Sequence, residues 1–328
     1  MGESSVEKVK TDVLELIDSP EKAETALQNL FLPEDPVELK REIERQQSEQ
    51  RRTTFFLALA QMQKRWEKAQ GKKDPKGQID KILVATQAPQ KIQILRDIAE
   101  RFGYPIYTKS DIPKREPVKV PFKLWIDYTQ GDEYEYGQLL KRFHTDCYRY
   151  PQLLAREKLV PYSDILNPVF AFDSVIVNHD GTILEKPEDM EKAREALLNL
   201  AGHPVSVVVG AAFLITPTSG ERILINDGVN ISFKLKPFTS EAVDSYMQKN
   251  RGSILSTSAG LNFAIPDGEE FIDLSKGVAV WSLDRQPGQK PVRLAKSALP
   301  VLKPYFEGVP SHFTTSMVKS IRPIYDAL

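Results

Sequence analysis

The chain has one cysteine, Cys147, in 328 residues. No internal disulfide framework can form, and a reducing compartment is the environment that suits it. Histidine is scarce as well: His144, His179, His203 and His312 lie far apart, without the spacing that gathers ligands around a transition metal. No apolar run reaches the roughly 20 residues that cross a bilayer. The opening MGESSVEKVK lacks the hydrophobic segment of a secretory signal. Gly2 with Ser5 only brushes the myristoylation pattern, since Val6 stands where that motif wants Ser or Thr. Neither sign of charge is in excess: 44 Lys and Arg against 45 Asp and Glu leave a formal −1. A global field that would draw nucleic acid or an anionic membrane is therefore absent, and electrostatic steering has to be local. No internal repeat is visible. These absences describe a cytoplasmic protein with neither nucleic acid nor membrane among its partners.

What is present divides the chain in two. Residues 1–78 read as a helical extension and linker: amphipathic helices over Val6 to Ile17 and Ser19 to Leu32, then a long helical stretch from Val37 to Gln70. In that stretch Phe55, Leu59, Met62 and Trp66 recur at helical spacing. Such a face packs on the main domain, binds a protein partner, or pairs two copies as a homodimer. Residues 71–77 (GKKDPKG) are a linker. From residue 79 strands and helices interleave, with long hairpins among them, which predicts an α/β domain with a mixed sheet. Strands are expected at Lys81 to Thr86, Tyr104 to Thr108, Val205 to Thr216, Arg222 to Leu235, Glu270 to Leu274 and Gly277 to Leu283. Helices are expected at Pro89 to Phe102, Glu135 to Lys158 with a break near Pro151, Thr239 or Ser240 to Lys249, and from Ser316 with an interruption at Pro323.

The most informative thirty residues are FDSVIVNHDGTILEKPEDMEKAREALLNLAG, from Phe172 to Gly202. An apolar strand carries one acid, Asp173, and turns at Asp180-Gly181, a strong hairpin signal. A two-residue loop pairs Lys186 with Val175; the four-residue loop Asn178 to Gly181 pairs it with Asp173. Either even-length loop puts Asp173 and Lys186 on one face, with Cβ atoms roughly 5–8 Å apart. A carboxylate beside an ammonium suits phosphate and metal chemistry, and is equally a plain cross-strand ion pair. Pro187, Glu188 and Asp189 suit the first turn of a helix, which would set Lys186 at a helix entrance where backbone N–H groups favour anions. A second site is ILVATQAPQKIQILRDI: a strand runs into Thr86, Gln87 and Ala88, Pro89 opens a helix, and Lys91 lies in its first turn. Open α/β sheets bind ligands beyond the carboxyl ends of their strands. A hydroxyl and an ammonium at a helix N-terminus make a plausible triphosphate cradle, though a routine strand-to-helix connection looks the same.

The segment VIVNHDGTILEKPEDMEKAREALLNLAGHPVSVVVGAAFL resembles the central part of the Maf-like nucleotide pyrophosphatases. They share an acid in an apolar strand, Gly in a turn, Lys-Pro, an acidic helix, Leu-x-Gly and a valine-rich strand. The opening of that family, a strand followed by Ala-Ser-x-Ser-Pro-Arg-Arg, is similar to residues 85–91: Ala85 and Pro89 match, and Thr86 stands for the first serine. Ala88 replaces the second serine, and Gln90 and Lys91 replace both arginines, trading a bidentate fork for a point charge and a neutral amide. The resemblance spans residues 80–328, with insertions near 115–150 and 266–300. It implies an elongated, twisted mixed sheet flanked by helices, in two lobes with a cleft.

The activity it implies is hydrolysis of nucleoside triphosphates, often non-standard ones, to monophosphate and diphosphate, with Mg²⁺ or Mn²⁺. On that pattern Asp173 is catalytic and a metal ligand, joined by Asp111 or Glu116, although Lys114 holds the position where the family has glutamate. Thr86, Lys91 and Lys186 hold phosphates. The family's catalytic glutamine has no clear equivalent in residues 258–265 (SAGLNFAI). Those losses leave a second reading open, a degenerate relative that binds nucleotide or serves as a scaffold. No nucleophile elbow surrounds Ser206 or Ser258, and Cys147 beside His144 carries no further signal.

Overall fold

The computed structural model describes residues 16–29, 81–86, 88–108, 148, 150–159, 167–215, 223–283 and 291–327. In chain order the elements are β1 (Leu16–Ile17), α1 (Pro20–Gln28), β2 (Ile82–Val84), α2 (Pro89–Glu100), β3 (Ile106–Thr108), α3 (Tyr150–Glu157), β4 (Val169–Asn178) and β5 (Ile183–Leu184). There follow α4 (Met190–Leu200), β6 (Pro204–Ile215), β7 (Ile223–Leu235), α5 (Ser240–Lys249), α6 (Pro266–Glu269), β8 (Ile272–Asp273), β9 (Val278–Ser282), β10 (Val292–Leu294), α7 (Lys303–Phe306) and α8 (Ser311–Ala327). The long helix expected over Val37 to Gln70, the linker, and the stretch near 115–146 lie outside the described residues.

Ten strands form one open mixed sheet in the order β1-β10-β9-β7-β6-β4-β2-β3, with β5 added to β4 and β8 to β7. Its centre is the pair of long β-branched runs, β6 and β7, antiparallel from Pro204↔Lys234 to Ile215↔Ile223. β4 joins β6 antiparallel along its whole length, and β2 and β3 continue parallel beyond β4. Side chains alternate across a strand, so one face of β7 presents Ile223, Ile225, Val229, Ile231 and Phe233 in turn. The first two belong to a cluster under α2 and α8 with Leu95, Phe172, Phe313 and Met317. The others belong to a larger cluster under α1, α4 and α5 with Leu27, Leu197 and Val243. The two clusters are the two lobes. The opposite face is covered by α3, which contributes Tyr150 and Leu153 beside Val208.

Local chemistry fixes the helix starts. Ser19, Asp189 and Thr239 each accept a hydrogen bond from the third backbone N–H beyond, capping α1, α4 and α5. Three elements differ from the sequence expectation. Leu16 and Ile17 form a strand parallel to β10 instead of ending a helix. The last helix starts at Ser311, directly after Pro310, and continues past Pro323. The helix after Pro187 starts only at Met190, because the Asp189 side chain accepts from Lys192 N at 2.8 Å. Lys186 is therefore in the approach to the helix and not at its N-terminus. Among the described residues no helix is long and apolar enough to cross a membrane.

Candidate active site

β4 is held on its outer edge at two separate places. β2 pairs with Val169 and Phe170, and β5 pairs with Ile176 and Val177. Between them, around Phe172 to Val175, the sheet divides, and a cavity of about 580 Å³ opens. Thr86, Lys91, Asp173 and Lys186 all line it, brought from three different elements and the approach to α4. Lys158, Asn262 and Glu307, which the sequence reading did not single out, line it too. Asp111 and Glu116 lie outside the described residues.

At one end of the cavity α2 begins without a side-chain cap: its N-cap position is Ala88, and Pro89 occupies the first turn. The Ala88 N–H donates to Thr86 Oγ1 at 3.3 Å. Ala88 offers no capping side chain to the first turn, and the positive end of the helix dipole meets the cavity beside Lys91. Gly308 lies against this cation. Its φ of +79° is left-handed, and a Cβ built there would sit 2.7 Å from Ser174 Oγ and 2.8 Å from Lys91 Nζ.

In the middle, Asp173 Oδ2 accepts from Lys158 Nζ at 2.8 Å and Oδ1 accepts from the Ser174 N–H at 2.7 Å. Lys158 also donates to the Phe172 carbonyl at 3.2 Å. The two side chains are 13% and 17% exposed, so this pair is largely desolvated. Burial works to raise the Asp173 carboxyl, but the charges of Lys158 and Lys91 and the two hydrogen bonds outweigh it and hold it below the usual aspartate value. Lys158 reaches this point because α3 packs unusually close to the sheet: a Cβ on Gly210 would lie 2.2 Å from the Pro151 carbonyl carbon. No local sequence signal marks that docking.

The hairpin that carries Lys186 has an odd-length loop, which overturns both even-length expectations. Asn178 N–H donates to Thr182 O at 2.9 Å, Gly181 N–H donates to Asn178 O at 3.0 Å, and Gly181 has φ +83°. This is a three-residue loop whose last residue is a left-handed glycine. Asp180 Oδ1 accepts from Thr182 N at 2.8 Å and stabilises it. The register Ile176↔Leu184 shifts the return strand by one, so Lys186 falls in line with Ser174 and not on the Asp173 face. It still borders the cavity, since the chain past β5 is gripped by Ala259 N–H, which donates to Glu185 O at 2.8 Å.

The loop from α7 to α8 delivers Glu307 to the cavity, next to Gly308 and Lys91. Its two ends are tied together: Tyr305 O–H donates to His312 Nδ1 at 2.7 Å, and His312 Nε2–H donates to Asp227 Oδ2 at 2.9 Å. Burial pushes His312 well below its ordinary value and Tyr305 well above, and a neutral imidazole beside the Asp227 carboxylate donates from Nε2, so that Nδ1 accepts from Tyr305. Asp227 sits on β7 between the two core clusters, so the relay anchors the loop at the junction of the lobes. Burial also raises the Glu307 carboxyl, opposed by Asn262, Lys91 and Lys303. Among the described residues no group of three or more His, Cys, Asp or Glu could hold a metal ion.

The arrangement can bind an extended polyanion along three ammonium groups and an uncapped helix end, beside two carboxylates of unlike environment. Comparison with known proteins gives two findings. The family model described as Maf-like protein matches residues 81–273, which is more than half of the chain. A solved structure from Mycobacterium abscessus, described as a nucleoside-triphosphatase / dITP/XTP pyrophosphatase, is similar at 16% identity. The similarity covers 47% of this chain and 72% of that one, with a TM-score of 0.27. No match is found among curated proteins.

Proposed function

The chain belongs to the Maf-like protein family, and from that premise we propose that its cleft hydrolyses nucleoside triphosphates to the monophosphate and diphosphate. The observation that carries this reading is the gathering of Lys91, Lys158, Lys186 and Asp173 on one cavity at an uncapped helix N-terminus. The triphosphate lies along Lys91, Lys186 and the first N–H groups of α2, with the Thr86 hydroxyl as an added donor. Water attacks the α-phosphorus, and the diphosphate leaves as the lysines neutralise its growing charge. Asp173 holds Lys158 in place and supplies negative potential where the water approaches. The base is held in the other arm of the cleft, toward Asn262 and Phe263.

A divalent cation, Mg²⁺ or Mn²⁺, would add Lewis-acid neutralisation of the phosphates. The described residues fit such an ion poorly, because both Asp173 oxygens are already engaged by Lys158 and Ser174. Asp111 and Glu116 remain the further ligands in this proposal. The enzymatic unit in this proposal is residues 79–328 together with residues 16–29, which pair with β10 and enter the larger core cluster; the rest of residues 1–78 is an added region for a partner or a second copy.

The test is diphosphate release from a panel of standard and modified nucleoside triphosphates with Mg²⁺ or Mn²⁺. Asp173→Asn should lower kcat by about 100-fold, and Lys91→Ala should raise KM by about 10-fold or more. Replacement of the family's two arginines by Gln90 and Lys91 favours a second reading, nucleotide binding without turnover. That reading is supported if no nucleotide yields diphosphate while nucleotide still raises Tm.

A further inference from the structure

We propose that Glu307, delivered by the loop between α7 and α8, is the proton acceptor for the attacking water, in place of Asp173. The inference rests on the pyrophosphatase reading and assigns a step within it. Among the described residues, five titratable side chains line the cavity: Lys91, Lys158, Lys186, Asp173 and Glu307. Protonated lysines cannot accept a proton, so among the described residues the acceptor is one of the two carboxylates. Asp173 is badly placed for the task. Its two oxygens already accept from Lys158 Nζ at 2.8 Å and from Ser174 N–H at 2.7 Å, and protonating it would break a desolvated ion pair.

Glu307 is built differently. It is half-buried, next to a glycine that lies against Lys91 and Ser174. Asn262 is fixed beside it, with Oδ1 accepting from Ala264 N–H at 2.8 Å and its own N–H donating to Tyr246 OH at 3.0 Å. This leaves the amide NH₂ end of Asn262 to donate to the Glu307 carboxylate. The loop is braced by Gly308 N–H donating to Tyr305 O and Val309 N–H donating to Pro304 O, both at 2.8 Å. The charged neighbours of Glu307 are Lys91 on α2 and Lys303 on α7, with Lys158, Asp173 and Lys186 around the rest of the cavity. Burial raises the Glu307 carboxyl while the lysines lower Asp173, and two carboxylates pushed apart in this way divide base from electrostatic roles.

In the step, the water oxygen forms a bond to the α-phosphorus, and its proton passes to a Glu307 oxygen. The bond from the α-phosphorus to the bridging oxygen breaks, and its electron pair leaves with the diphosphate. Glu307 then releases the proton to solvent. Activity therefore requires Glu307 ionised, so kcat/KM falls on the acid side through a carboxyl that burial has raised from its ordinary value.

The test compares the full-length wild type with Glu307→Gln, Glu307→Ala and Asp173→Asn on the best nucleoside triphosphate found. Glu307→Gln should lose about 100-fold or more in kcat with little change in KM, and its acid limb should vanish. Glu307→Ala should regain turnover with added formate, which a structural role would not permit. Asp173→Asn should be slow but keep the acid limb. A wild type without turnover overturns the pyrophosphatase reading and this step with it. An active wild type whose Glu307→Gln variant keeps its kcat and acid limb overturns the step alone.

Discussion

At the scale of single residues, the cleft depends on a few atoms that have no room to move. Gly308 is left-handed at φ +79°, with Ser174 Oγ 2.7 Å and Lys91 Nζ 2.8 Å from the place a Cβ would occupy. Gly308→Ala would strain the backbone by about 1–2 kcal/mol and push Lys91 out of the cradle. The expected outcome is a rise in KM for the triphosphate of about 10-fold, checked by steady-state kinetics alongside a thermal scan that shows the variant folded. This position also marks a limit of sequence reading. Thr86, Lys91, Asp173 and Lys186 were found from local signals, namely a strand end, a proline-opened helix and a hairpin. Lys158 and Glu307 reach the same cavity by docking of α3 and by the relay from Tyr305 to Asp227. Neither contact has a signature within its own segment: Lys158 meets an acid fifteen positions away, and His312 meets one eighty-five positions away.

At the scale of elements, helix starts marked by chemical punctuation were legible and others were not. The start at Pro89 and the Thr239 cap were legible because both are chemical punctuation. The β4–β5 register was not, because Asp-Gly serves two-residue and three-residue loops alike. What decides between them is whether Gly181 sits in the second or the third loop position. A one-residue difference moved Lys186 to the other face of its strand, yet the grip of Ala259 on Glu185 kept it at the cavity. Element packing also sets where Lys158 can reach. α3 lies against Gly210 so closely that a Cβ there would stand 2.2 Å from Pro151 C and 2.3 Å from Gln152 N, which are rigid backbone atoms. Gly210→Ala must lift α3 from β6. The expected loss is about 3 kcal/mol of stability, together with a fall in kcat as Lys158 withdraws from Asp173. Thermal denaturation and kinetics of this one variant check both. A normal kcat in a destabilised protein would show that Lys158 needs no such close docking.

At the scale of the whole molecule, the sheet runs from the cleft at β4 to an edge made by residues far apart in sequence. Composition placed residues 1–78 outside the α/β domain, and their polar texture gave no reason to do otherwise. Residues 16–29 are nonetheless built into that edge. Leu16 and Ile17 pair with Arg293 and Leu294, Ala295 N–H donates to Ile17 O at 2.8 Å, and Ser297 Oγ donates to the Asp18 carbonyl. Ala23 and Leu27 enter the larger core cluster at 0% and 2% exposure, beneath a helix capped by Ser19. The amphipathic helix itself was legible, but nothing in its short apolar face, Ala23 and Leu27, names the surface it packs on, which is why the join was not. The consequence is measurable and separates stability from chemistry. Leu27→Ala removes three buried carbons from a packed site, a cost of about 3 kcal/mol. For a domain of this size that corresponds to a fall in Tm of roughly 6–12 °C. In strand order β9, β7 and β6 separate β10 from the cleft strand β4, while Glu24 of α1 faces Tyr305, whose bond to His312 anchors the Glu307 loop. KM measured well below Tm should therefore stay within about twofold of wild type. An unchanged Tm would mean that α1 contributes nothing to the core, and an altered KM would mean that the far edge of the sheet is coupled to the nucleotide.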